Sequence, residues 1–338
     1  MGSRLRSTLP YCIGSALALV LACSGSAFAS APAPRDALLD SEPLSARGFG
    51  SGYAEYPVDD EGRTVRIDRG VFSEADAQVV AAELGALVHG DEMNRLSVLM
   101  VTALEMQAIC GADILACYDQ RTEEMVIAGA ESSKPPSRAF LVAHEYGHHV
   151  EVNRENDPWP ALDWGTKRWA TAERICPGVA AGRYQPGAYG SETYYDNPGE
   201  AFAESFAFLH YPHDVKWDWN LPEPDGDSFA AIREDVLHPW DGRRRVSRDG
   251  RLAASGDHDG SKIPTPLDGR LKLRLDGPAA DDFDLRLLDS DRDHLLARTK
   301  AGGSNESLSY TVCGKRDVVV QAVSREGDGR YEIRAKRP

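Results

Sequence analysis

Beyond residue 22 the chain lacks any apolar run long enough to cross a bilayer, so no membrane-spanning helix is expected in the mature protein. Positive charge is scarce: 38 Lys and Arg stand against 53 Asp and Glu, a formal net charge of -15 at pH 7. Nucleic acid and anionic membrane surfaces are therefore not expected partners, because both repel an acidic protein. The apolar stretch Ile13 to Ala22 follows Arg4 and Arg6 and precedes Ala27-Phe28-Ala29. Together these read as a secretory signal peptide over residues 1–29, cleaved before Ser30. A rival reading, lipid attachment at Cys23 after Val20-Leu21-Ala22, fits less well because Leu21 suits its position poorly. The expected address is secreted, extracellular or periplasmic, with a mature formal charge of about -17 once Arg4 and Arg6 are lost.

Cysteine is sparse as well. Of six, four survive signal removal: Cys110, Cys117, Cys176 and Cys313, an even number in an exported chain. The short loop Gly111 to Ala116 favours a disulfide between Cys110 and Cys117. Cys176 and Cys313 then either tie two domains together or stay unpaired and buried.

What the sequence does contain is His144-Glu145-Tyr146-Gly147-His148, the His-Glu-x-x-His pattern. Ser137 is a suitable N-cap for the apolar run Ala139 to Val142, which predicts a helix here. Residues four apart on a helix share a face, so both imidazoles can reach one metal ion with Glu145 beside it. His149 points about 100 degrees away from His148 and is excluded as a ligand. Two nitrogens leave a zinc shell unfinished, and the pattern demands a third ligand. Asn197-Pro198-Gly199 introduces a second predicted helix carrying Glu200 and Glu204, four apart among Phe202, Phe206 and Phe208. Glu200 is the expected third zinc ligand; Glu204 is expected to hold one of the ligand histidines from behind.

Around these motifs the chain divides by pattern. Residues 30–70, rich in Ala, Pro, Gly, Ser and charge without periodicity, read as a flexible leader. Ser73-Glu74-Ala75-Asp76 is a capping-box pattern that predicts a helix through Ala81, Leu84 and Leu87. Leu96 to Val101 predicts a buried strand, and Ala116 to Asp119 with Met125 to Ala128 predict a hairpin leading to the metal helix. Leu162 to Ile175 predicts one further helix, with Trp164 and Trp169 in the core, and residues 178–190 a loop. Beyond Trp240 short alternating segments recur: Leu271 to Leu275, Phe283 to Leu287, Leu308 to Val312, Val318 to Val323 and Tyr331 to Ile333. Asp and Gly clusters separate them, the mark of a small β-sandwich. Asp289-Ser290-Asp291-Arg292-Asp293 is a plain turn and no calcium loop, since His294 stands where an EF-hand needs glycine and Lys300 where it needs glutamate.

His144-Glu145-Tyr146-Gly147-His148 together with Glu200-Ala201-Phe202-Ala203-Glu204 resembles the gluzincin metallopeptidases, in particular the lethal-factor-like branch. That resemblance covers roughly residues 95 to 210. It implies an α+β zincin-like catalytic domain, here residues 71–240, followed by the β-sandwich of residues 241–338. It also implies a tyrosine shortly before the ligand glutamate that assists at the reacting carbonyl. Tyr194 and Tyr195 are the candidates; Thr193 occupies the place the pattern gives to tyrosine. A metzincin would carry glycine at the position of Glu151 and histidine at that of Arg154. Asp282-Phe283-Asp284-Leu285 and Gly329-Arg330-Tyr331-Glu332-Ile333 make the last domain resemble the bacterial pre-peptidase C-terminal domain.

The function expected is thus a secreted, monomeric zinc metalloendopeptidase acting on peptide or protein substrates. His144, His148 and Glu200 would hold the metal, and Glu145 would serve as general base. Two alternatives share these residues: a secreted binding module with a structural or silent zinc site, and a zinc hydrolase of a non-peptide substrate.

Overall fold

Strands buried on both faces require a layer on each side. β4 (Ser97–Val101), β5 (Ala116–Asp119) and β6 (Glu124–Ala128) are of this kind. Their alternation sorts the side chains: Val98, Met100, Tyr118, Met125 and Ile127 enter the main core, while Leu99, Val101, Cys117 and Val126 enter a smaller one. The main core is closed by α1 (Glu74–Gly85) and α3 (Arg138–Val152), the smaller by α2 (Ala103–Ile109). The computed structural model describes the backbone of residues 36–38 and residues 52–190, 192–242, 244–291, 294–314 and 316–338. The expected signal peptide lies outside the described residues, as do Arg292 and Asp293 of the acidic turn.

The sheet has six strands in the order β1 (Asp36–Leu38), β5, β6, β4, β3 (Thr64–Asp68), β2 (Ala54–Pro57). The β5–β6 and β2–β3 pairs are antiparallel and the others parallel. For the described part of residues 30–70 this corrects the assignment to a flexible leader. Residues 54–57 and 64–68 form a hairpin on the sheet, with Val65 and Ile67 buried in the main core. The pattern was too brief to show in sequence, since each strand contributes only one or two core residues.

After α3 the chain is helical but broken. The single helix expected over Leu162 to Ile175 is three short pieces: α4 (Ala161–Trp164), α5 (Lys167–Ala172) and α6 (Ile175–Ala180). Gly165 at φ 74° stops the first and Arg174 at φ 56° separates the other two, since a left-handed residue cannot continue a right-handed helix. Trp169 is buried as expected, while Trp164 stacks on Trp159 at 4.5 Å at the core's margin. α7 (Pro198–His210) and α8 (Gly226–Leu237) complete this half. Among the described residues no helix is long and apolar enough to cross a membrane.

Residues 244–337 form two four-stranded antiparallel sheets around a second core of Leu271, Leu273, Leu275, Phe283, Leu285, Leu287 and Ile333. One sheet orders β11 (Leu295–Arg298), β10 (Asp282–Asp289), β13 (Arg316–Glu326) and β8 (His258–Thr265). The other orders β12 (Asn305–Val312), β9 (Gly269–Asp276), β14 (Gly329–Arg337) and β7 (Arg244–Leu252). The five strands expected from sequence are present; β7, β8 and β11 carry too few inward apolar residues to announce themselves. Two disulfides are formed, Cys110–Cys117 and Cys176–Cys313, and the second joins α6 to the sandwich.

Candidate metal centre

α3 is fixed at its start by Ser137, whose Oγ accepts from the Phe140 N–H at 3.2 Å and whose own N–H donates to Asp214 Oδ2 at 2.7 Å. α7 starts on Asn197, whose Oδ1 accepts from the Gly199 N–H at 3.2 Å, with Pro198 at the first helical position. Glu200 therefore sits in the first turn of α7, where the helix dipole favours a negative charge. The two helices cross at Gly147 and Ala203. A Cβ on Gly147 would stand 2.7 Å from the Ala203 Cα, so glycine there sets how closely α7 approaches.

That approach brings three buried groups together. One nitrogen from each of His144 and His148 and one oxygen of Glu200 lie within 4.8 Å of one another. His144 Nε2 is 3.7 Å and His148 Nε2 3.3 Å from Glu200 Oε2. Bonds of about 2.1 Å to a tetrahedral ion put neighbouring ligand atoms about 3.4 Å apart, a value that the two nitrogen-to-oxygen distances bracket. Glu200 Oε1 is buried without a hydrogen-bond partner, as expected of an oxygen meant for a cation. Two imidazole nitrogens and one carboxylate oxygen form a donor set that suits zinc.

The far nitrogens are held from behind. His144 Nδ1 lies 3.0 Å from Glu204 Oε2, and His148 Nδ1 lies 2.9 Å from Glu151 Oε2. A carboxylate on Nδ1 keeps the proton there and turns the Nε2 lone pair toward Glu200. Burial pushes the Glu151 carboxyl up and its bond to His148 pulls it down; a cation on Nε2 of His148 would favour the ionised form that holds the Nδ1 proton. His149 is committed elsewhere: Nδ1 meets the Tyr118 hydroxyl at 2.8 Å and Nε2 the Glu92 carbonyl at 2.9 Å. Glu145, the next residue after His144, is fully buried.

The two candidate tyrosines separate. The Tyr194 hydroxyl donates to Glu200 Oε2 at 3.1 Å, its ring packed on Trp219 at 5.0 Å. Tyr195 is half-buried and places its ring against Trp219 at 5.5 Å. One group of the site was not named from the sequence. Glu151 could have been found, being one turn beyond His148 on the same helix.

No family model and no curated protein matches the chain. Among solved structures it is similar to the pre-peptidase C-terminal domain of a Bacillus anthracis collagenase. The identity there is 16%, over 27% of this chain and 89% of that one, with a TM-score of 0.25. It is also similar to PliG of Aeromonas hydrophila, a periplasmic inhibitor of g-type lysozyme, at 7% identity over 30% of this chain and 91% of that one, TM-score 0.24. A third is the Yersinia pseudotuberculosis-derived mitogen, at 14% identity over 28% of this chain and 87% of that one, TM-score 0.23.

Proposed function

We propose that the chain is an exported zinc-dependent peptidase of the gluzincin type. The observation that carries this reading is the convergence of His144, His148 and Glu200 beside a buried Glu145. A site built only to hold a metal needs ligands and no base; the glutamate after the first histidine gives this one the means to move a proton. Zinc bound here supplies Lewis acidity, polarising a carbonyl oxygen and acidifying a water molecule. Glu145 takes the proton of the attacking water and returns it to the leaving amine. Glu151 and Glu204 keep both imidazoles in the tautomer that binds, and Tyr194 steadies Glu200 through its hydroxyl. The two disulfides agree with an oxidising compartment, which supports export.

The test is digestion of a broad peptide library by the metal-loaded protein, by the same protein with chelator, and by Glu145→Gln. Cleavage that chelator abolishes, together with a variant that retains one equivalent of zinc but loses turnover by a factor of about 100 or more, is the expected result. An intact library with zinc bound would transfer the reading to a binding module. Turnover of ester or amide model compounds alone would point to a non-peptide hydrolase.

A further inference from the structure

We propose that the outer face of the β12–β9–β14–β7 sheet is a binding surface for a polysaccharide bearing carboxylate or sulfate groups. Alternation along the strands sends Leu271, Leu273, Leu275, Ile333 and Ala335 into the core and leaves the intervening side chains on the outside. The register then decides which of these are neighbours. Lys336 is opposite Lys272 on one side and Arg245 on the other, so three cations stand abreast on adjacent strands about 4.8 Å apart. All three are exposed.

The next row along the strands pairs Arg274 with Arg334, and acids meet this one. Arg274 Nε is 2.8 Å from Asp276, and Arg334 reaches Asp276 at 3.3 Å and Glu332 at 2.6 Å. Among the described residues no ion pair to Lys272, Lys336 or Arg245 is formed within this face. Like charges placed directly opposite in a sheet are destabilising, and a chain with net charge -15 has acids to spare for separating them. A row that is unfavourable for folding and unexplained by solubility is best accounted for by a ligand.

The surroundings indicate which polyanion. Ser309 lies beside Lys272, Ser307 beside Arg274 and Ser247 beside Arg334, all exposed, so hydroxyls that can exchange hydrogen bonds with sugar hydroxyls border the cations. The outward positions named carry no aromatic ring, which removes the stacking platform that single-stranded nucleic acid uses. At physiological ionic strength charges are screened beyond about 8 Å, so the row acts on one or two sugar units while the acidic remainder of the molecule is largely masked.

The experiment measures binding of the full chain, disulfides intact, to heparin as the sulfated probe and polygalacturonate as the carboxylated one. Neutral dextran and a single-stranded DNA oligomer serve as comparators. At about 50 mM salt, binding to one or both polyanions is expected, weakening as salt rises, with none to dextran. The triple variant Lys272→Gln/Lys336→Gln/Arg245→Gln should bind at least about tenfold more weakly without a lower melting temperature. Lys262→Gln/Arg298→Gln, on the opposite sheet, should bind as the parent does. Sulfate and carboxylate are distinguished by which probe binds. No binding to either probe, undiminished binding by the triple variant, or equal affinity for the DNA overturns the proposal.

Discussion

At the scale of the residue, the centre is a set of carboxylates with divided roles. Glu200 faces the two Nε2 atoms, while Glu151 and Glu204 each hold an Nδ1. The last two never approach the metal position, so their removal should change affinity before chemistry. Glu151→Ala and Glu204→Ala are each expected to lower zinc affinity by about 10- to 100-fold, measured by competition with a chromophoric chelator, while the zinc-saturated forms keep most of their turnover. A variant with unchanged affinity would show that its histidine is oriented by packing alone. His144 with His148, and Glu200 with Glu204, could be read from sequence because helix periodicity converts spacing of four directly into a shared face. Glu151 obeys the same periodicity at spacing three. It escaped because a glutamate near a helix end reads equally well as a solvated charge. The choice between Tyr194 and Tyr195 depends on 3-10 geometry, for which linear spacing has no counterpart.

At the scale of the element, the site is the crossing of α3 and α7, and Gly147 sets its closeness. Alanine is the better helix former by about 1 kcal/mol, so an isolated α3 would gain from Gly147→Ala. Here the added methyl meets the Ala203 backbone, which cannot rotate aside as a side-chain tip would. Overpacking of this kind costs about 1–3 kcal/mol and should win. Gly147→Ala is therefore expected to lower the melting temperature and, by displacing Glu200, to weaken zinc binding. Increased stability with unaltered affinity would mean that the helices already have room to part. The long elements were legible for the same reason that this crossing was not: α1, α3 and the β5–β6 hairpin carry their own caps and periodicity, whereas a close helix approach is a property of two distant segments at once. The strands at 54–57 and 64–68 belong to the second class, since each is decided by the partner it pairs with.

At the scale of the whole molecule, the two cores meet at a polar joint. The Asp268 N–H donates to Thr171 Oγ1 at 3.0 Å, and beside it Lys167 Nζ, held by the Asp157 carbonyl at 2.7 Å, stands against Gly269, where an added Cβ would come within 2.6 Å of it. The Cys176–Cys313 bridge runs beside it, closing a separation of 137 residues, so the joint cannot open simply by the domains parting. Asp268 is buried here with Oδ1 accepting from the Gly314 N–H at 2.6 Å, and its carboxyl is pushed up to about 6 by burial. An aspartate in the unfolded chain loses its proton near 3.9. Between those values the folded state binds a proton that the unfolded state has released, so stability falls as pH rises. The contribution is full below about 4 and gone above about 6, and the distance between the two values is equivalent to about 3 kcal/mol. Lys167, pushed down to about 8 by burial, titrates above this window. Other carboxyls, buried Glu124 and half-buried Glu173 among them, are raised too, so the raw pH curve mixes several groups. The difference between parent and Asp268→Asn isolates one. Asparagine keeps the acceptor for Gly314 and cannot ionise, so denaturant unfolding at pH 4 and at pH 7.5 should show the variant gaining on the parent by up to about 3 kcal/mol at the higher pH. An equal difference at both values would mean that Asp268 ionises in the joint without penalty.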